Sequence, residues 1–168
     1  MSIISFIKDA GEKLFGHRDS APAAAPAAAE SAALQTKSDQ ADQSAAKAIE
    51  GYIASQNLSA NGLAVQYDGS QQTVTVSGVA PDQATKEKIV LCCGNIQGVA
   101  KVNDMLTVEQ PADESRYYTV VKGDTLSAIA KKEYGNANAY MKIFEANKPM
   151  LSNPDKIYPG QLLRIPAA

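Results

Sequence analysis

Cysteine and histidine are almost missing from this chain of 168 residues, which has two of the first and one of the second. Cys92 and Cys93 are adjacent, so they cannot build a framework of loop-closing disulfides, and that suits a reducing compartment. Ile89, Cys92, Cys93 and Ile96 fall at helical spacing, which makes both thiols packing residues. Neighbours on a helix diverge around its axis, so a bond between the two is not expected. His17 and two thiols in sequence contact do not make a zinc site. No Ser or Cys has a nearby His to activate it, no carboxylate pair can be placed across a cleft, and no Gly-rich phosphate loop follows a strand. The chain is therefore not expected to be an enzyme.

Charge of one sign is also lacking. The formal net charge is −2 and the isoelectric point is near 5.4, with no basic block, which argues against a nucleic-acid groove. No stretch approaches the roughly 18 apolar residues of a membrane-spanning helix. At the start, the apolar group Ile3, Ile4, Phe6 and Ile7 is cut at once by Lys8 and Asp9, and no positive side chain precedes it. A secretory signal needs charge first and then a longer apolar run, so the expected location is cytoplasmic.

What is present divides the chain into parts. Residues 1–19 form an amphipathic tip. Residues 20–39, rich in Ala, Pro, Ser and Gln, read as a linker able to turn helical toward its end. From Asp42 the apolar residues Ala46, Ile49 and Ile53 recur on one helical face until Asn57, and "LAVQY" then alternates Leu63, Val65 and Tyr67 on one side. "DGSQQ" makes a hairpin turn, "TVTVSG" returns as a strand, and Asp82 caps a helix to about Cys93. A third strand holds Val99, Val102, Leu106 and Val108. Residues 40–109 thus read α-β-β-α-β, and 110–115 form a short linker. Residues 116–168 read β-α-α-β: a strand through Tyr118 and Val120, a helix with Leu126, Ile129 and Ala130, a second with Tyr140, Ile143, Phe144 and Asn147, and "LLRI" as the closing strand. The expected class is α+β.

Two stretches in the second half, "YTVVKGDTLSAIAKKEYG" and "EANKPMLSNPDKIYPGQLLRIP", resemble a LysM domain over essentially its whole length. The segment with "TVTVSGVAPDQATKEKI" and "GVAKVNDMLTV" resembles a BON domain. With "FIKDAGEKLF" at the tip, the arrangement is similar to a family of small cytoplasmic BON–LysM proteins of Gram-negative bacteria that bind potassium. The LysM resemblance implies a shallow groove for glycans containing N-acetylglucosamine, lined by Gly123, Asp124, Thr125 and Leu126 and by Pro154, Asp155 and Ile157. The same residues have a structural use, because Asp124 or Thr125 is what a helix start needs. The rival class is accordingly a peptidoglycan-binding protein of the cell envelope.

Potassium leaves little trace in side chains, because neutral backbone carbonyls can replace its water shell. It needs a place where carbonyls lack partners. A helix end leaves four of them at the negative pole of its dipole, and "CCGNIQGV" is such an end, with Gly94 and Gly98 allowing the backbone to turn. The tip carries Gly11 in mid-pattern, which costs a helix interior about 1 kcal/mol against Ala. A segment that breaks at Ala10–Gly11 to present oxygens has a use for it. The alternative, a helix lying on a membrane through Ile3, Ile4, Phe6, Ile7, Leu14 and Phe15, has Lys8 and Lys13 offset by Asp9 and Glu12, whereas such helices are usually rich in Lys and Arg. The expected ligands of one K⁺ are the main-chain carbonyls of Gly94, Ile96 and Val99 and those of Ile7, Ala10 and Glu12, with Rb⁺ and Cs⁺ as substitutes. The protein is expected to be a monomer, a sensor or buffer that compacts on binding the ion. Side-chain changes such as Asn95→Ala are then expected to leave binding nearly intact.

Overall fold

The first helix outruns its apolar pattern. In the computed structural model, which describes residues 27–167, α1 spans Ala27–Ser55. Its N-terminal part lies inside the segment read as a spacer. After Pro26 that segment has no further proline, and its many alanines are the best helix formers. The C-terminal end of α1 is a Schellman closure. Asn57 takes the left-handed conformation (φ 56°), its N–H donates to the Ala54 carbonyl, and Leu58 N–H reaches back to Ile53. Ile53 and Leu58 are both buried, which completes the apolar contact of that motif.

Strands β1 (Asn61–Asp68) and β2 (Thr73–Asp82) form the expected hairpin, with Val65 opposite Val76 and Tyr67 opposite Val74. Asp82 caps α2 (Gln83–Gly94), accepting from Thr85 N–H at 2.7 Å. β3 (Lys101–Gln110) then runs parallel to β2 on its far side, so the sheet order is β1-β2-β3. Val99 lies just before this strand, in the connection. Both helices cover one face of the sheet, where Ile49 and Ile53, Val65, Val74 and Val76, Ile89, Cys92 and Cys93, and Leu106 share a core. A fully buried aliphatic side chain of this kind contributes about 1.5–3 kcal/mol.

The second unit has its own core. β4 (Arg116–Thr119) pairs antiparallel with β5 (Leu162–Ile165), and α3 (Leu126–Tyr134) and α4 (Tyr140–Ala146) pack over them. Leu126, Ile129, Ile143, Phe144, Leu163 and Ile165 form the centre. Among the described residues no helix is long and apolar enough to cross a membrane.

The two units meet where α2 lies against β5. Glu87 of α2 and Arg164 of β5, both buried, form an ion pair. Glu87 Oε1 also accepts from Gln83 Nε2 at 2.9 Å and from Ser115 N–H at 2.7 Å. Burial alone would raise the Glu87 carboxyl, but the donors Gln83, Ser115 and Arg164 together outweigh it and hold it below its ordinary value. Nearby, Cys92 Sγ stands 3.1 Å from Met150 Sδ.

Candidate functional site

The seam brings the end of α2 against the second unit, and the backbone accounting of that end is uneven. Asn95 N–H donates to the Leu91 carbonyl at 3.1 Å, Ile96 N–H to Cys93 at 3.3 Å and Val99 N–H to Ile96 at 3.1 Å. Among the described residues no hydrogen bond reaches the carbonyls of Gly94 or Val99. The Ile96 carbonyl is engaged once and keeps a second lone pair. All three are expected potassium ligands. The other three, Ile7, Ala10 and Glu12, lie outside the described residues, as does His17.

The two glycines of the turn differ in their reasons. Gly98 has φ 91°, the left-handed region, and allows the chain to reverse into β3. Gly94 is still helical. A Cβ at Gly94 would stand 3.0 Å from Leu162 Cδ2, so what it supplies is close approach to β5. This corrects the expectation that both glycines are there to let the backbone turn.

The turn forms one wall of a cleft of about 520 Å³. Tyr52 of α1 lines it as well, with Tyr158, Pro159 and Gly160 from the loop before β5. None of the residues lining the cleft is acidic or basic. Burial raises the phenols of Tyr52 and Tyr158, with Cys92 and Tyr158 adding to the effect at Tyr52, so both stay neutral at physiological pH. Among the described residues no three His, Cys, Asp or Glu side chains come together as a metal-holding group. The groups that line the cleft are therefore dipolar and uncharged: the backbone of the turn that follows the negative end of α2, and two neutral phenols. That donor set suits a weakly hydrated monovalent ion. Ca²⁺ draws on carboxylates, and Mg²⁺ keeps most of its water.

Tyr52, Tyr158 and Asn95 were not legible as site residues. The two tyrosines lie far apart in sequence, and only the docking of the units brings them to one cleft.

The residues implied for a glycan groove have other engagements. Asp124 Oδ2 accepts from Tyr118 Oη at 2.9 Å and from Val121 N–H at 3.0 Å. Thr125 is the N-cap of α3, accepting from Ala128 N–H at 3.1 Å. Leu126 is buried, Ile157 packs on the same core and Pro154 is half-buried. Gly123 and Asp155 are exposed.

A three-stranded α-β-β-α-β unit joined to a β-α-α-β unit, with a neutral carbonyl turn at the seam, defines a two-domain BON–LysM protein. The BON domain family model matches residues 41–110, and the LysM domain family model matches residues 118–166. Over 167 residues, covering 99% of this chain and 99% of the relative, the sequence is 45% identical to "Potassium binding protein Kbp" of Escherichia coli O6:H1, and the chain belongs to that protein's family. An uncharacterized protein of Deinococcus radiodurans is 44% identical over 82 residues, covering 42% of this chain and 32% of its own. The uncharacterized protein YqbP of Bacillus subtilis is 41% identical over 58 residues, covering 29% of this chain and 26% of its own.

Proposed function

We propose that this chain binds K⁺ at the Gly94–Val99 turn, through backbone carbonyls of Gly94, Ile96 and Val99 completed by Ile7, Ala10 and Glu12, and acts in the cytoplasm as a potassium sensor or buffer. The observation that carries the reading is a turn after α2 whose Gly94 and Val99 carbonyls accept no hydrogen bond among the described residues, set in a cleft with no charged lining. The name of the Escherichia coli relative, aligned over 99% of both chains, supports the same ion.

Calorimetric titration with KCl against NaCl at constant ionic strength tests it. K⁺ gives a saturable trace and Na⁺ does not, and K⁺, Rb⁺ and Cs⁺ raise the melting temperature where Na⁺ and Li⁺ fail. An ion bound only by the native state at a hundredfold excess over Kd adds about 2.7 kcal/mol. Equal responses to KCl and NaCl would reduce the effect to general salt and end the proposal.

A further inference from the structure

The side chain of Asn95 leaves α2 and reaches β5. Its Nδ2 donates to the Leu162 carbonyl at 2.9 Å, and its Oδ1 accepts from Leu162 N–H at 2.7 Å. One carboxamide thus meets both polar groups of one residue, as a peptide of a neighbouring strand would. β5 has β4 on one side only, so Asn95 occupies part of its open edge. The pairing also fixes which Asn95 atom is oxygen and which nitrogen, because Leu162 offers one donor and one acceptor. Neither polar atom of the carboxamide is left idle.

The far end of the same turn is held by the BON sheet. Tyr67 Oη donates to the Gly98 carbonyl at 3.1 Å, and Ala100 N–H donates to the Gln72 carbonyl at 2.8 Å. Gly94, Ile96 and Val99 are thereby distributed along a short piece of backbone pinned near both ends. Discrimination against a smaller ion requires oxygens that do not close in upon it, and a turn anchored at one end only can do so.

We propose that Asn95 is the positioning residue of the cation turn: it does not touch the ion, and its carboxamide pins the turn to β5 so that the carbonyls keep a spacing suited to K⁺. This rests on the potassium reading above and replaces the expectation that Asn95→Ala leaves binding nearly intact.

The test compares the full chain with Asn95→Ala, Asn95→Asp and Glu87→Gln, measuring Kd for K⁺ and for Na⁺. Asn95→Ala is expected to weaken K⁺ at least tenfold and to narrow the K⁺/Na⁺ ratio. Asn95→Asp keeps the acceptor for Leu162 N–H and loses the donor, so it lies between Asn95→Ala and the parent, and it decides the matter should Asn95→Ala not fold. Glu87→Gln, titrated well below its melting range so that the units stay docked and Asn95 stays on Leu162, loosens the seam away from the turn and keeps the K⁺/Na⁺ ratio even if K⁺ weakens. An unchanged Kd and ratio in both Asn95 variants overturns the proposal while the potassium reading stands. So does a weakened Kd with an unchanged ratio in Asn95→Ala and Glu87→Gln alike, which would make Asn95 a general docking contact. No K⁺-selective response in the parent chain overturns the potassium reading, and this proposal with it.

Discussion

Cys92 and Cys93 are both fully buried, and burial, with Cys93 beside Cys92 and Asp104 near Cys93, pushes each thiol up to about 12. The thiolate is the reactive form, so both are expected to be inert in the folded protein. Iodoacetamide at pH 8 should label the native chain roughly a hundredfold more slowly than the urea-unfolded chain. Mass spectrometry of the labelled protein checks this, and fast labelling of the native chain would contradict the packing role. That role was legible from the helical spacing of Ile89, Cys92 and Cys93. The role of Gly94 was not, because its reason is Leu162, a residue far along the chain. Gly94→Val forces side-chain volume against Leu162 and should cost about 1–3 kcal/mol. The same variant should weaken K⁺ by shifting the turn, as melting and titration on one sample would reveal.

At the level of elements, the local patterns carried most of the fold. Ala46, Ile49 and Ile53 sit at helical spacing, Val65 and Tyr67 alternate, and Asp82 caps its helix, all of it information held within a few residues. The long N-terminal reach of α1 and the parallel pairing of β2 with β3 depend on context that periodicity does not record. The open edge of β5 is a further case, since two asparagines close it. Beside Asn95 on Leu162, Asn147 Nδ2 donates to the Arg164 carbonyl at 2.8 Å and its Oδ1 accepts from Arg164 N–H at 2.8 Å. Asn147 is 1% exposed, so its loss leaves two buried backbone groups of β5 without partners. Asn147→Ala is expected to destabilise the LysM unit by about 2–6 kcal/mol, with each of the two unsatisfied groups contributing about 1–3. Urea unfolding followed by tyrosine fluorescence measures it. A loss under about 0.5 kcal/mol, the size of a routine surface change, would mean that water replaces the carboxamide.

For the whole molecule the deciding contact is Glu87 with Arg164, because it ties α2 of the BON domain to β5 of the LysM domain in a place shielded from water. Neither residue stood out in sequence, since a lone Glu on a helix and a lone Arg in "LLRI" read as ordinary surface charges. Buried together they are coupled: removing one partner leaves the other's charge unpaired, at a cost of about 3–5 kcal/mol. The Glu87 carboxyl is held below its ordinary value. A depressed carboxylate contributes stability that is complete above its unfolded-state pKa, about 4.3, and that is lost as the pH falls through the lower folded value. At pH 7 the two domains are therefore expected to melt in one transition. Toward pH 3 the ion pair weakens and the transition should broaden or split as docking fails before either core does. Glu87→Gln should show the uncoupled melt already at pH 7 and a flatter dependence on acid, because the titrating group is gone. Scanning calorimetry from pH 7 to pH 3 on both chains decides between this and general acid unfolding. If Glu87→Gln loses stability with acid as steeply as its parent, other carboxylates carry the pH dependence, and the Glu87–Arg164 pair does not set the acid limit of the seam.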